Sequence, residues 1–135
     1  MENLKTKIDK TTNMNSKIKD VKVVVLSEEK IKDEVGFLAE RMGQGAVSTY
    51  LIRHSEEIEE DLKLVGMEVD VFGKSFDMLF RKEDAYFVVE IKRRWYPTEN
   101  WMKKIVQRYA EEFEKLLNLK GQKYQFIQPV LVVTK

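Results

Sequence analysis

A chain of 135 residues with 43% hydrophobic side chains is large enough for one domain with a real core, and for one domain at most. Its 24 basic and 23 acidic side chains give a net charge of +1, so overall charge does not by itself indicate a nucleic-acid partner. The absence of cysteine excludes disulfides, zinc–thiolate sites and thiol nucleophiles, and no apolar run reaches the length of a membrane span. We therefore expect a cytoplasmic protein with no membrane partner.

Residues 1–26 are expected to form an N-terminal arm that is flexible or contains a short strand or helix. Large apolar side chains are scarce up to about residue 20, which is typical of a flexible arm. Three consecutive valines at positions 23–25 favour a strand, but apolar residues between Ile18 and Met42 recur at nearly helical spacing. We favour a short strand followed by a helix capped by Ser27. One long helix that pairs with a second copy is the alternative.

Residues 27–135 are expected to form a single α/β domain. Glycines at positions 43 and 45 interrupt the first helix, and a second helix is predicted from about Val47 to Leu64, with Gly66 as its C-cap. Apolar and acidic side chains alternate over residues 67–72 and predict a half-exposed strand. Two apolar runs on either side of the charged turn at residues 82–84 predict two buried antiparallel strands, which complete a three-stranded meander.

The last third of the chain is predicted to be a helix and a strand. The helix begins at Pro97 and Thr98, carries its apolar side chains on one face and ends at Gly121. Residues 128–133 predict a buried strand, and a strand, a crossover helix and a second strand make a right-handed unit with parallel strands. The predicted fold is therefore a mixed sheet of about four strands flanked by helices.

Three charged side chains interrupt the two buried strands of the meander. Asp77 lies in the first strand, and Glu90 and Lys92 end the second. Charges are rarely buried unless they are paired or hold a metal. Because residues two apart on a strand face the same way, Glu90 and Lys92 project together, and Asp77 can reach that face from the neighbouring strand. Two carboxylates and an ammonium at a strand end indicate a divalent-cation site.

This placement resembles the PD-(D/E)XK nuclease superfamily. Asp77 is followed by twelve intervening residues and then by Glu90-Ile91-Lys92 at the end of a hydrophobic strand, while Phe76 stands where the family has a proline. An acidic residue two before a lysine recurs in this chain, but the other cases lack a long apolar run and a preceding acidic strand; they lie at residues 20–22, 28–30 and 61–63. The predicted order of elements from about residue 46 to residue 134 also matches the restriction-endonuclease-like core (αβββαβ) that the resemblance implies.

The resemblance implies roles for individual residues. Asp77 and Glu90 would bind Mg²⁺ or Mn²⁺, with the backbone carbonyl of Ile91 as a further ligand. Lys92 would position or activate the water that attacks a DNA phosphodiester bond. Family members often add a glutamate from the first core helix, and Glu56 is the first candidate here, with Glu57 beside it; a solvated helix surface is the alternative for both.

The function implied is a metal-dependent endonuclease acting on DNA. The alternatives are a catalytically inactive nuclease-fold domain that serves nucleic-acid binding or homo-oligomeric assembly, and a structural dimer whose charges form only ion pairs. Glu68 and Asp70 share one face of the predicted strand before Asp77, and each either supports the metal or is exposed to solvent. Asp70 also competes with Asp77 as the primary ligand, although the hairpin-like spacing to Glu90 favours Asp77. His54 is the only histidine, so multi-histidine metal sites are excluded.

One segment, from Lys92 to Arg108, concentrates basic side chains. Tryptophan and tyrosine side chains at positions 95, 96 and 101 are interleaved with them, and Glu99 is the one acidic residue. Basic side chains neutralise phosphates and aromatic ones stack on unpaired bases, so we expect DNA binding here. The alternative is a solvated lysine face with core aromatic residues. The expected DNA contacts are Arg93, Arg94, Lys103, Lys104 and Arg108. A homodimer is also expected, because nuclease folds commonly act as dimers.

Overall fold

Five strands form one mixed sheet in the residues that the structure, a computed structural model, describes, namely 16–36, 43–92 and 98–135. The strands are β1 (Lys22–Leu26), β2 (Lys63–Val71), β3 (Lys74–Lys82), β4 (Ala85–Lys92) and β5 (Phe126–Thr134). The helices are α1 (Glu28–Val35), α2 (Gln44–Arg53), α3 (Glu99–Leu119) and a short 3-10 helix (Ser55–Glu57). Across the sheet the strands lie in the order β1-β5-β4-β3-β2.

The predicted α/β architecture is confirmed, but the sheet has five strands and not about four. β2, β3 and β4 form the predicted antiparallel meander, and α3 connects β4 to the parallel strand β5, also as predicted. The additional strand is β1, which pairs in parallel with β5 from Lys22↔Val130 to Leu26↔Thr134. Residues 1–15 of the expected arm lie outside the described residues.

Side-chain caps fix the starts of two helices. The hydroxyl of Ser27 accepts a hydrogen bond from the backbone N–H of Lys30, so α1 begins where the sequence predicts, and the long-helix alternative is wrong. Thr98 caps α3 in the same way by accepting from the N–H of Trp101. No helix in the described ranges is long and apolar enough to cross a membrane.

The predicted helix from Val47 to Leu64 is wrong at both ends. α2 begins three residues earlier, after the N-cap Gly43, and it ends at Arg53. Leu64 belongs to β2, where it pairs with Phe80, and Gly66 lies beyond a bulge in the same strand and is not a helix cap. Apolar residues in this region fit helical spacing, but their pairing with β3 is a long-range interaction that such spacing does not reveal.

The sheet buries a separate apolar cluster on each face. On one face, α1 and α2 pack on side chains of β3 and β4 that include Phe80, Val89 and Ile91. On the other face, α3 packs on Leu79, Val88 and their neighbours, and its first turns cover Leu131 and Val133 of β5. Since side chains alternate along a strand, Glu90 and Lys92 face the α3 side while Val89 and Ile91 face α1 and α2. The fold thus presents two charged side chains beneath α3.

Candidate active site

β3 and β4 separate at the position of the charged residues. Their antiparallel pairing runs from Lys82↔Ala85 to Met78↔Val89. Beyond that point β4 stays paired with β5 as far as Lys92, and β3 stays paired with β2. Asp77 and Glu90 are therefore the first residues past the end of the shared ladder. A gap of this kind leaves room for polar side chains between two strands that are otherwise buried.

Asp77 is held from both sides of this gap. Its Oδ2 accepts a hydrogen bond from the backbone N–H of Ile91 at 2.6 Å, and so takes the place of a strand partner. Its Oδ1 accepts a hydrogen bond from the side-chain amide of Gln44, the first residue of α2. The aspartate carboxylate thus ties β3 to β4 and to the start of α2.

Glu90 is the buried carboxylate of the site. It is 7% exposed, and its Oε2 lies 3.4 Å from Nζ of Lys92. Its Oε1 is buried and has no hydrogen-bond partner among the described residues. Burial, followed by the negative charge of Asp77, raises the pKa of Glu90 from 4.5 to about 8, although Lys92 opposes the shift. A bound cation would offset both effects, because a nearby positive charge favours the ionised carboxylate.

Lys92 stands where the buried site meets solvent. Its side chain is 34% exposed, and it projects to the same side of β4 as Glu90, as the strand period predicts. The structure therefore brings Asp77, Glu90 and Lys92 together. The three groups are two carboxylates and one ammonium, so together they carry an excess of negative charge when both acids are ionised.

Two further residues, neither of which the sequence analysis assigned to the site, border it. Gln44 lies in a Gly-Gln-Gly stretch that was predicted only to interrupt helices. Tyr109 belongs to the face of the last helix that the sequence predicts to be apolar, and its ring lies 6.1 Å from the ring of Phe76. Burial and then the charges of Glu90 and Asp77 raise the pKa of Tyr109, whose ring packs against the residue that precedes Asp77 in β3. The polar tip of a tyrosine on a buried helix face is the one signal that could have indicated it.

A cavity of about 410 Å³ opens beside Asp77 on the side of α2 and β2. Gln44, Ser48 and Glu68 are among its polar lining residues. Glu68 has a positive φ of 48°, a conformation that costs a non-glycine residue roughly 1–3 kcal/mol. Asp70 is exposed and pairs with Ser75, and it does not line the cavity. Of the two acids on β2, Glu68 is the one that the structure places with Asp77.

The structure does not bring Glu56 to the carboxylates. Because α2 ends at Arg53, Glu56 falls on the 3-10 helix, where its Oε2 lies 3.2 Å from Nδ1 of His54. Glu57 accepts a hydrogen bond from the hydroxyl of Tyr50 at 2.6 Å. Nowhere in the described ranges do three His, Asp or Glu side chains form a group that could hold a metal. The candidate ligands remain Asp77 and Glu90, with the carbonyl of Ile91 as a prediction.

The expected DNA contacts divide into described and undescribed residues. Arg93 and Arg94 lie outside the described residues, as do Trp95 and Tyr96. Lys103 is paired with Glu99 at 2.9 Å, whereas Lys104 and Arg108 are exposed on α3.

No model of a protein family, no curated protein and no solved structure matches the chain.

Proposed function

We propose that this protein is a metal-dependent nuclease of the PD-(D/E)XK superfamily that hydrolyses DNA phosphodiester bonds by water attack. The observation that carries the proposal is the buried Glu90, whose Oε1 lacks a partner among the described residues and whose neighbours are Asp77 and Lys92. A structural ion pair needs one carboxylate for one ammonium, and a second carboxylate beside the buried one makes such a pair less stable. A restriction-endonuclease-like core accords with the order of α2, the meander, α3 and β5.

The side chains of the site fit Mg²⁺ or Mn²⁺. Mg²⁺ takes oxygen ligands and is often held by only one or two carboxylates, with water and substrate phosphate completing its coordination. Asp77, Glu90 and the carbonyl of Ile91 would hold it here, so a third carboxylate is not needed. When bound, the cation would lower the pKa of a water molecule and polarise the scissile phosphate.

The remaining roles belong to the residues of the chain. Lys92, which reaches solvent from beside Glu90, would orient the attacking water and offset the negative charge that builds on the phosphate. The N–H of Ile91 and the amide of Gln44 would hold Asp77 in one orientation, so that little rearrangement is needed at the moment of reaction.

A catalytically inactive nuclease-fold domain is the second candidate, and one observation favours it. Both oxygens of Asp77 already accept hydrogen bonds, one of them from Gln44 on the helix where a glutamate was expected. Such a domain would serve nucleic-acid binding or homo-oligomeric assembly and would not cut DNA.

The test is cleavage of supercoiled, linear and branched DNA with Mg²⁺ or Mn²⁺. Glu90→Gln and Lys92→Ala should each abolish metal-dependent cutting. Glu112→Gln and Lys115→Ala are matched controls, because these residues form a similar Glu–Lys pair at 3.1 Å on α3, and both should cut like the wild type. Metal binding without cutting of any substrate would favour the inactive domain. Cutting that survives in both site variants would refute the assignment of the site.

A further inference from the structure

The outer face of α3 carries a tryptophan and two unpaired cations. Trp101 is 48% exposed in the first turn of the helix, and Lys104 and Arg108 follow it at spacings of three and seven residues. In the described part of the chain no acidic side chain pairs with Lys104 or Arg108, whereas Lys103 is neutralised by Glu99. We refer to Trp101, Lys104 and Arg108 as the α3 strip.

Helix geometry places the α3 strip on the outer face of the helix, with Trp101 nearest the edge that borders the site. Residues on a helix advance by about 100° each, so positions seven apart, such as Trp101 and Arg108, lie within about 20° of each other. Two steps of four residues connect Trp101 through Ile105 to Tyr109, whose ring lies 6.1 Å from that of Phe76, the residue before Asp77. Tyr109 lies at one edge of the buried face of α3, and Lys103 lies at the other edge. The strip therefore continues outward from the edge of the helix that faces the carboxylates.

The strip also lies at the correct end of the helix. β4 and β5 are parallel and α3 connects them, so the helix runs back along the sheet and begins near the end of β4, where Lys92 lies. Met102 and Val106 pack on Leu131 and Val133, the residues of β5 that pair with Glu90 and Lys92. The first two turns of α3 thus cover the sheet at the level of the site.

We propose that the α3 strip binds a single-stranded stretch of the nucleic acid that enters the carboxylate site, with an unpaired base stacked on Trp101 and phosphates against Lys104 and Arg108. An indole with half its surface exposed offers a face to a base only when that base is not paired. Lys104 and Arg108 lie one turn apart, about 6 Å along the axis, so both can contact the backbone of one strand. The inference rests on the proposed function for its substrate and on the strip alone for its binding chemistry.

The test measures binding of the full chain to a short oligothymidylate and to a duplex of equal length, in EDTA so that no strand is cut. In a Trp95→Phe background Trp101 is the one remaining tryptophan, and its fluorescence should be quenched by the single strand. Trp101→Ala should weaken single-strand binding about tenfold or more, and Trp101→Phe should retain most of it. Lys104→Ala and Arg108→Ala should each lower the slope of log affinity against log salt by about 0.7, whereas Lys103→Ala should leave it unchanged.

Each failure is distinguishable from failure of the nuclease proposal. Unquenched Trp101 fluorescence, or equal affinity of the wild type and Trp101→Ala for the single strand, would overturn the role of the α3 strip. Equal effects of Lys103→Ala and Lys104→Ala would overturn it as well, because they would indicate only diffuse positive charge. Tight duplex binding that depends on Lys104 and Arg108 but not on Trp101 would overturn the single-strand assignment and give these two cations to paired DNA instead. Single-strand binding without cleavage in any metal would refute the nuclease and leave the strip in place.

Discussion

Replacing Glu90 by glutamine should stabilise the metal-free protein at neutral pH. The carboxyl group of Glu90 has a pKa of about 8 in the folded protein against 4.5 ordinarily, because burial and the charge of Asp77 disfavour its ionised form. Between these two pH values the folded state binds more protons than the unfolded state. The stability of the wild type therefore falls as pH rises through this range. Glutamine keeps the size of the side chain and removes this loss.

The expected gain follows from the size of the shift. Each pKa unit corresponds to about 1.4 kcal/mol. At pH 7 Glu90 is ionised in the unfolded chain but largely protonated in the folded protein, and this difference lowers the free energy of unfolding by on the order of 3 kcal/mol. This value is an upper limit for the gain, because the amide of glutamine must also find hydrogen-bond partners at a position where Oε1 of Glu90 has none among the described residues. Near pH 4 the carboxyl group is protonated in both states, and the two proteins should be equally stable to within about 0.5 kcal/mol.

Urea unfolding in EDTA at acidic and neutral pH, followed by circular dichroism, measures the effect. Glu112→Gln is the control, since Glu112 pairs with the exposed Lys115 and its loss should change stability by no more than about 1 kcal/mol. A Glu90→Gln protein that is no more stable than the wild type at neutral pH would refute this electrostatic description. So would a difference between the two proteins that does not depend on pH.

Three other predictions test the surroundings of the site. The hydrogen bond to Glu34 raises the pKa of His54. The contribution of protonated His54 to stability is therefore present below its pKa in the unfolded chain and is lost as pH rises through its pKa in the folded protein. Urea unfolding should show a larger destabilisation by His54→Gln at about pH 6 than at about pH 9. Gln44→Glu places a third carboxylate against Asp77 and should raise the affinity for Mn²⁺ in calorimetry, whereas an unchanged affinity would contradict the position of Gln44. Phe80 is 1% exposed, so Phe80→Ala should leave a cavity in the core and lower the free energy of unfolding in urea by about 3–5 kcal/mol. Phe72 is exposed, and Phe72→Ala should lower it far less. Similar losses in the two variants would contradict the assigned burial.

Local patterns were sufficient for the central part of the fold and of the site. Alternation along β4 predicted that Glu90 and Lys92 face the same side, and the charged turn before β4 predicted the hairpin that brings Asp77 near them. Strand alternation and tight turns act over a few residues, so a single sequence reveals them.

The sequence failed where long-range pairing decides the structure. β1 was ambiguous because its partner, β5, lies about a hundred residues away in the chain. The error about α2 displaced Glu56, which contacts His54 and not Asp77. Gln44 and Tyr109 join the site through contacts with distant strands, and an amide or a phenol at one position leaves no periodic signal.

The most direct test of the account is a calorimetric titration of the metal-free protein with Mn²⁺. We expect binding at one site in the wild type and a loss of affinity of at least about tenfold in both Asp77→Asn and Glu90→Gln. Lys92→Ala should still bind the metal, because its role lies with the water and the phosphate. Absence of Mn²⁺ binding in the wild type would contradict the claim that Asp77 and Glu90 hold a catalytic cation. So would an affinity for Mn²⁺ in the two carboxylate variants that equals that of the wild type.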